Sequence, residues 1–241
     1  MDIIRLEHVK KSFGENQILQ DISLSVKQGE FLTVIGRSGC GKTTMLKLMN
    51  GLYIPESGDV YIEEKNLKEV DLIALRRRMG YVIQNKGLFP HMTVEKNITY
   101  VPVISGRKNQ TENHALVLKL LNMVGLEAEL AKRYPSELSG GQQQRVGIAR
   151  ALAAEPHILL MDEPFGALDE ITKQTLQDEL IRLHRELKIT VIFITHSIRE
   201  AMKLGDRVLV MDQGRVLQID TPEQVKANPA NEFVKELIKE A

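Results

Sequence analysis

At 241 residues with 43% hydrophobic side chains, the chain can bury a large core, in one domain with a subdomain or in two small domains. Lys plus Arg and Asp plus Glu both number 32, so the formal charge is zero and a basic surface for non-specific binding of nucleic acid is not expected. The single cysteine, Cys40, excludes an intrachain disulfide, and no apolar run approaches the roughly 20 residues that span a bilayer.

The N-terminus, MDIIRLEHVKK, has neither a signal-peptide core nor an Arg-rich transit pattern. Together with the cysteine count, this predicts a globular cytoplasmic protein that does not cross a membrane by itself.

Two kinds of apolar pattern predict the strands. Ile3 to Val9 and Ile18 to Val26 alternate apolar with polar residues around the turn-prone GENQ, which is typical of a hairpin at a sheet edge. The stretches EFLTVIG, HILLMDE and TVIFITH are too uniformly hydrophobic to have a solvated face. They predict buried parallel strands.

Helical patterns lie between these strands, at Lys42 to Asn50, Gly141 to Ala153 and Asp169 to Leu187. Strands that alternate with helices predict an α/β fold with a mainly parallel, doubly wound sheet. The strand signal disappears from Gly87 to Ser139, where TENHALVLKLLNMVG is the clearest amphipathic helix.

We therefore expect a single domain over residues 1–241, with a helical subdomain inserted at about residues 87–150. A late hairpin is expected at residues 205–220 around DQGR, followed by a helical tail at residues 221–241.

The sharpest motif is GRSGCGKT, the phosphate loop (residues 36–43), placed where a buried strand ends and a helix begins. It matches G-x-x-x-x-G-K-[ST], in which glycines let backbone amides wrap a phosphate, the Lys reaches β- and γ-oxygens and the hydroxyl binds Mg²⁺. The alternative is a glycine-rich turn without a ligand. Candidate nucleotide contacts are Gly36, Arg37, Ser38, Gly39, Cys40, Gly41, Lys42, Thr43 and Thr44.

Cys40 allows two interpretations. A helix N-terminus favours a reactive thiolate, whereas a small buried side chain would only fill space in the loop.

The stretch HILLMDEP brings two carboxylates to the carboxyl end of a buried strand, where ligands bind in open α/β sheets. Asp162 would hold Mg²⁺, directly or through water, and Glu163 would act as general base toward the water that attacks the γ-phosphate. The alternative is a pair of acids that cap a strand at the surface.

A second glycine-rich helix start is LSGGQQQR, the signature segment (residues 138–145). Its amides and the Ser139 hydroxyl could meet an anion, or Ser139 could be an ordinary helix N-cap.

The order and spacing of six motifs resemble those of the nucleotide-binding subunits of ABC transporters. The motifs are GRSGCGKT, Gln84 in YVIQ, LSGGQ, LLMDEP, ALD and His196 in FITH. The resemblance covers nearly the whole chain and implies the ABC ATPase fold, with an antiparallel β subdomain and a helical subdomain beside a P-loop core. It also implies a head-to-tail homodimer in which each ATP lies between the phosphate loop of one chain and the signature of the other. Ser139, Gly140, Gly141 and Gln142 would then complete the shell around the γ-phosphate.

The resemblance assigns roles to four further residues. Phe13 would stack on adenine, where the family commonly has Tyr, and Gln84 would sense Mg²⁺ and the attacking water. His196 would contact the γ-phosphate and steady Glu163, and Asp169 would cross the dimer interface. As alternatives, Phe13 would be a core aromatic, Gln84 and His196 would make only structural hydrogen bonds, and Asp169 would be a helix N-cap.

As an ATPase at the cytoplasmic face of the membrane, the chain would drive separate permease subunits. Their coupling helices would be received near Gln84 to Asn97, and an extracytoplasmic solute-binding protein would act indirectly. Within the superfamily the sequence resembles bacterial importers of glycine betaine, carnitine or choline, with polar-amino-acid importers as the alternative.

Many such subunits continue into a C-terminal tandem regulatory domain, whereas this sequence ends at Ala241. We expect osmotic gating through such a domain to be absent from this chain or lost by truncation. A soluble ABC ATPase of DNA repair or translation is disfavoured because the cassette is single and its helical insertion short. A scaffold without turnover is disfavoured because Glu163 is present.

Overall fold

The computed structural model describes residues 1–84 and 87–239. Their packing forms two compact units, the first comprising Met1–Arg76 with Lys188–Ala241 and the second Arg77–Leu187. Both units combine strands with helices, which confirms the predicted α/β class.

The described strands are β1 (Asp2–Phe13), β2 (Asn16–Lys27), β3 (Phe31–Gly36), β4 (Ser57–Ile62), β5 (Lys65–Asn66), β6 (Met79–Val82), β7 (Ile158–Asp162), β8 (Thr190–Ile194), β9 (Arg207–Asp212) and β10 (Arg215–Asp220). The α-helices are α1 (Lys42–Met49), α2 (Leu72–Arg77), α3 (Val94–Ile104), α4 (Gln110–Met123), α5 (Gly140–Leu152), α6 (Glu170–Leu187), α7 (Ile198–Leu204), α8 (Pro222–Ala227) and α9 (Glu232–Lys239). Short 3₁₀ turns lie at Leu67–Glu69, Ala128–Lys132 and Pro135–Glu137.

The N-terminal part of the first unit is an antiparallel sheet with strand order β2-β1-β4-β5. The alternation read from the sequence places Leu6 opposite Leu24 and Val9 opposite Ile22, and all four are buried. The hairpin strands run further toward their turn than predicted. Pairing continues to Phe13 opposite Asn16, so only two residues form the turn.

The phosphate-loop strand lies among parallel neighbours in the first unit. Strands β10, β9, β3 and β8 are adjacent in that order, and β3 pairs in parallel with both β8 and β9. Every residue of β3 and β8 is buried, as expected for strands covered on both faces. The hairpin β9–β10 closes this end, and α8 and α9 bury Val225 and Val234 against Ile35, Val208 and Val210.

The second unit joins a parallel strand pair to a group of helices. Strand β6 pairs with β7, with Val82 opposite Met161. Helices α3, α4 and α5 bury Ile98, Leu121 and Val146. Thr93 and Asn109 cap α3 and α4 by accepting hydrogen bonds from first-turn amides.

Two predicted segments extend beyond the described residues. The expected docking region at residues 84–97 includes positions 85 and 86, and the expected tail at 221–241 includes positions 240 and 241. Among the helices that the structure describes, none is long and apolar enough to cross a bilayer.

Strand β8 leads directly to His196, so its packing should determine stability at this part of the site. We expect Phe193→Ala to lower the free energy of unfolding by about 3–5 kcal/mol, because large buried aromatic rings leave a cavity of that cost. Phe193 is 0% exposed and its ring centroid lies 5.9 Å from that of Phe31. Denaturant unfolding of the purified chain measures the change.

The matched control is Phe13→Ala, which removes a ring that is 44% exposed and should cost about 1 kcal/mol or less. Equal losses from the two substitutions would contradict this account of the core.

Candidate functional site

Lys42 is fixed at the centre of the phosphate loop in the first unit. Its side chain is buried, and Nζ donates hydrogen bonds to the carbonyl oxygens of Gly36 at 2.8 Å and Arg37 at 2.9 Å. An ammonium group carries three donors on a flexible stem, so phosphate oxygens can replace these carbonyls.

Glycine is required where the loop leaves β3 and where it enters α1. Gly36 has φ 151°, and a Cβ there would lie 2.0 Å from the carbonyl oxygen of Met211. Gly41 has φ 107°, and a Cβ there would lie 2.7 Å from Leu19 Cδ2. Because side chains at both positions would collide with β9 or β2, the loop is shaped by tertiary contacts as well as by its own sequence.

The rim of the loop fits an anionic ligand. Arg37, Ser38 and Gly39 are exposed, and Thr43 and Thr44 are partly exposed at the start of α1. Gly41 supplies no side-chain cap, and the first amides of a helix have no partner inside the helix. Together with the Lys42 ammonium, these amides form the kind of site that binds phosphate.

Two predicted loop contacts have other partners. The Arg37 guanidinium lies 4.7 Å from the centroid of the Phe233 ring on α9, which directs it toward that helix. Burial raises the pKa of the Cys40 thiol, although Lys42 Nζ lies 3.8 Å from its sulfur and opposes the shift. These surroundings support the space-filling interpretation of Cys40.

Phe13 is not a core aromatic, because 44% of it is exposed at the end of β1. Its ring packs edge-on against Tyr53, with centroids 5.2 Å apart. Lys11 Nζ lies 5.3 Å from the Phe13 ring and Lys47 Nζ lies 5.4 Å from the Tyr53 ring. An aromatic pair with two ammonium groups suits a flat ligand that carries negative charge, and the sequence analysis missed Tyr53.

His196 is exposed just beyond β8, in a segment held by local hydrogen bonds. The Thr195 hydroxyl donates to the buried Glu200 carboxylate at 2.5 Å and accepts from the Ser197 amide at 3.0 Å. Ser197 in turn caps α7 by accepting from the Glu200 amide. The backbone on both sides of His196 is therefore fixed.

In the second unit, the two carboxylates after β7 differ in burial and conformation. Asp162 is 2% exposed, whereas Glu163 is partly exposed and has φ 49°. A left-handed conformation is unfavourable at a residue with a Cβ, although Glu63, Glu64 and Glu155 also adopt it in this chain. Gln84 Nε2 donates to Glu163 Oε2 at 2.7 Å, so the structure brings these two predicted catalytic residues together.

The signature segment starts α5 with a complete capping box. Ser139 Oγ accepts from the Gln142 amide at 3.2 Å, and Gln142 Oε1 accepts from the Ser139 amide at 2.9 Å. Ser139 therefore is a helix cap, but its O–H remains a donor for an incoming anion. Gly140 and Gly141 supply the amides of the first turn.

Asp169 also caps a helix. Its Oδ1 accepts from the Thr172 amide at 2.9 Å at the start of α6, and this bond lowers the pKa of the Asp169 carboxyl. Because the side chain is exposed, capping does not prevent contact with another chain.

Gln144 is a residue of this region that the sequence analysis did not assign. Its side chain is buried and contacts the glutamate turn (residues 163–168). Its Nε2 donates to the carbonyl oxygen of Glu163 at 3.2 Å, and its Oε1 accepts from the Ala167 amide at 3.1 Å.

Two residues predicted to bind magnesium carry oxygen donors, one in each unit. Thr43 offers a hydroxyl and Asp162 a carboxylate, both of which are hard ligands. Within residues 1–84 and 87–239, no three His, Cys, Asp or Glu side chains are grouped to hold a metal by themselves. A divalent ion would need phosphate oxygens to complete its coordination.

Comparison with known proteins agrees with this set of motifs. The ABC transporter family model matches residues 19–166. The glycine betaine/carnitine/choline transport ATP-binding protein OpuCA of Bacillus subtilis is 48% identical over 98% of this chain and 62% of its own length. The glycine betaine uptake system ATP-binding protein YehX of Escherichia coli is 44% identical over 97% of this chain and 76% of its own.

The ATP-binding cassette MJ0796, solved as a dimer bound to ADP and Pi, is 36% identical with a TM-score of 0.86, covering 91% of this chain and 98% of that one. The chain belongs to the ABC transporter family, as an ATP-binding cassette. It spans about three-fifths of the length of OpuCA.

Because burial raises the pKa of Cys40, less of its thiol is ionised at a given pH than in an exposed cysteine. We expect iodoacetamide at pH 8 to alkylate the folded chain at least about tenfold more slowly than the same chain in denaturant. Mass spectrometry gives both rates, and the denatured chain is the control since the sequence has one cysteine. Equal rates would restore the reactive-thiol interpretation.

Proposed function

We propose that this chain binds and hydrolyses ATP and thereby drives solute import through separate membrane permease subunits. The observation that carries the proposal is the Glu163 carboxylate, which lies on a left-handed turn and is held by Gln84 at 2.7 Å. Glu63, Glu64 and Glu155 also have positive φ, so the contact with Gln84, rather than the backbone conformation, distinguishes Glu163 from these acids. Family membership supports ATP as the nucleotide.

In the proposed transfer of the phosphoryl group to water, each residue has a separate role. Lys42 and the amides of the phosphate loop bind the phosphates, and the edge of the Phe13–Tyr53 pair is the candidate site for adenine. Thr43 and Asp162 would hold Mg²⁺, which supplies positive charge to the phosphate oxygens when bound. Glu163 accepts a proton from the attacking water, with its carboxylate oriented by Gln84, and His196 donates a hydrogen bond to the γ-phosphate.

We also propose that two copies assemble head to tail. Ser139, Gly140 and Gly141 of one chain would then complete the shell around the phosphates bound by the other chain. Gln142 would contribute by holding Ser139 in the capping box. The support is the dimeric state of the MJ0796 cassette and the exposure of Ser139 in this chain. A site that is complete only in the dimer makes ATP favour the closed assembly, and hydrolysis removes that preference.

For cargo, we propose quaternary amines such as glycine betaine, carnitine or choline. The support is that OpuCA is named for transport of glycine betaine, carnitine and choline and YehX for uptake of glycine betaine, and both match nearly the whole chain. Neither relative is named for polar amino acids, so that alternative gains no support from them. The proposed position is the cytoplasmic side of the membrane, bound to permease subunits and served indirectly by a solute-binding protein.

The Glu163→Gln variant tests the proposed chemistry, because the amide preserves shape and removes the base. We expect ATP turnover to fall at least about 100-fold while ATP binding is retained. The ATP-bound variant should also form a dimer that survives size-exclusion chromatography. Phosphate release and nucleotide binding are measured on the purified chain with MgATP.

The control is Glu155→Gln, which changes a carboxylate whose side chain is 71% exposed and paired with Arg107. Its turnover should stay within about twofold of the parent. Turnover of Glu163→Gln within about threefold of the parent would contradict the assignment of the base.

A separate experiment tests the cargo. In a strain without other uptake systems for these solutes, deletion of this subunit should abolish accumulation of labelled glycine betaine, carnitine or choline at high salt. Re-expression of the parent should restore uptake, and Lys42→Ala should not. Normal uptake of all three, with uptake of an amino acid impaired instead, would overturn the cargo proposal and leave the ATPase proposal standing.

A further inference from the structure

One face of α5 contacts the glutamate turn at successive helical positions. A Cβ at Gly141 would lie 3.3 Å from Leu168 Cδ2 and 3.4 Å from the carbonyl oxygen of Ala167. Gln144 hydrogen-bonds Glu163 and Ala167, and the Arg145 guanidinium interacts electrostatically with Asp169. Gln144 and Arg145 lie three and four residues after Gly141, so each of them neighbours Gly141 on one side of the helix.

Gln144 is the only one of the three that bonds to Glu163 itself. Its side chain is 6% exposed, and both polar atoms of its amide contact the turn. The backbone that Gln144 contacts is that of Glu163, whose left-handed conformation, φ 49°, costs free energy at a residue with a Cβ. The Gly166 amide reaches the same Glu163 carbonyl at a longer 3.4 Å, so the turn alone provides a weaker contact.

We propose that Gln144 is a positioning residue for hydrolysis, which holds the backbone of Glu163 so that its carboxylate is aimed at the attacking water. The inference rests on the proposed function, in which Glu163 is the base. It assigns to the signature helix a role within its own chain, in addition to the proposed contact of residues 139–141 with the ATP of the partner. Small displacements of a catalytic group reduce rate by up to about 100-fold, which sets the expected scale.

The first test is Gln144→Met, which keeps the length of the side chain and removes both hydrogen bonds. We expect kcat for MgATP to fall by about tenfold to 100-fold, with KM within about threefold of the parent. Hydrogen exchange followed by mass spectrometry should show faster exchange in residues 163–168, with β7 unchanged.

The matched control is Gln143→Met on the same helix. Gln143 Nε2 donates to the carbonyl oxygens of Pro135 at 2.8 Å and Leu138 at 3.1 Å, and neither belongs to the glutamate turn. We expect its kcat to stay within about threefold of the parent and exchange in residues 163–168 to be unchanged.

The second test is Gln144→Glu, whose effect depends on protonation. A neutral carboxylic acid can donate to the Glu163 carbonyl and accept from the Ala167 amide, whereas a carboxylate cannot donate. Burial raises the pKa of a carboxyl group, so protonation near neutral pH is expected. We compare each variant by the ratio of its kcat to that of the parent at the same pH. This ratio should rise several-fold for Gln144→Glu from pH 8 to pH 6, and it should not change for Gln144→Met.

The inference is overturned if Gln144→Met keeps kcat within about twofold of the parent, or if exchange rises throughout the second unit rather than in the turn. A Gln144→Glu ratio that falls between pH 8 and pH 6 also overturns it. If the parent chain shows no ATP turnover, the proposed function fails instead, and hydrogen exchange of Gln144→Met still decides whether Gln144 holds the turn.

Discussion

Buried parallel strands must end where polar groups can leave the apolar interior, and the positions of the proposed functional side chains depend on that constraint. Strand β3 ends at the phosphate loop, β7 ends at Asp162, and β8 ends just before His196. Because β3, β7 and β8 are buried throughout, they fix the starting points of these segments within each unit. A few local contacts then hold each segment in place.

Two of these segments contain residues with positive φ. Gly36 and Gly41 let the phosphate loop approach β9 and β2 more closely than any Cβ would permit. Glu163 takes the left-handed conformation with its side chain in place, held by Gln84 at the carboxylate and by Gln144 at the carbonyl. Preorganised groups of this kind lose little orientation during reaction, which is an advantage for a catalytic base.

Several side chains serve structure and proposed function together. Ser139 and Asp169 both cap helices, and Cys40 fills space beside Lys42. The alternatives weighed from the sequence were therefore not exclusive, because a hydroxyl can accept from a helix amide while it donates to an anion. For Asp169, a cap that lowers the pKa also keeps the carboxylate charged for contact with another chain.

The sequence by itself determined the α/β class, the phosphate loop, the buried strands and the helix α5 that begins at the signature, since all depend on contiguous residues and their periodicity. It did not reveal the Phe13–Tyr53 pair, the left-handed turn at Glu163 or the two bonds of Gln144. Those features join residues such as 84 with 163 and 144 with 167, and only the tertiary structure brings such distant positions together. A glutamine gives no sign in sequence of whether its amide reaches solvent, its own helix or a distant carbonyl, because that choice depends on the surrounding packing.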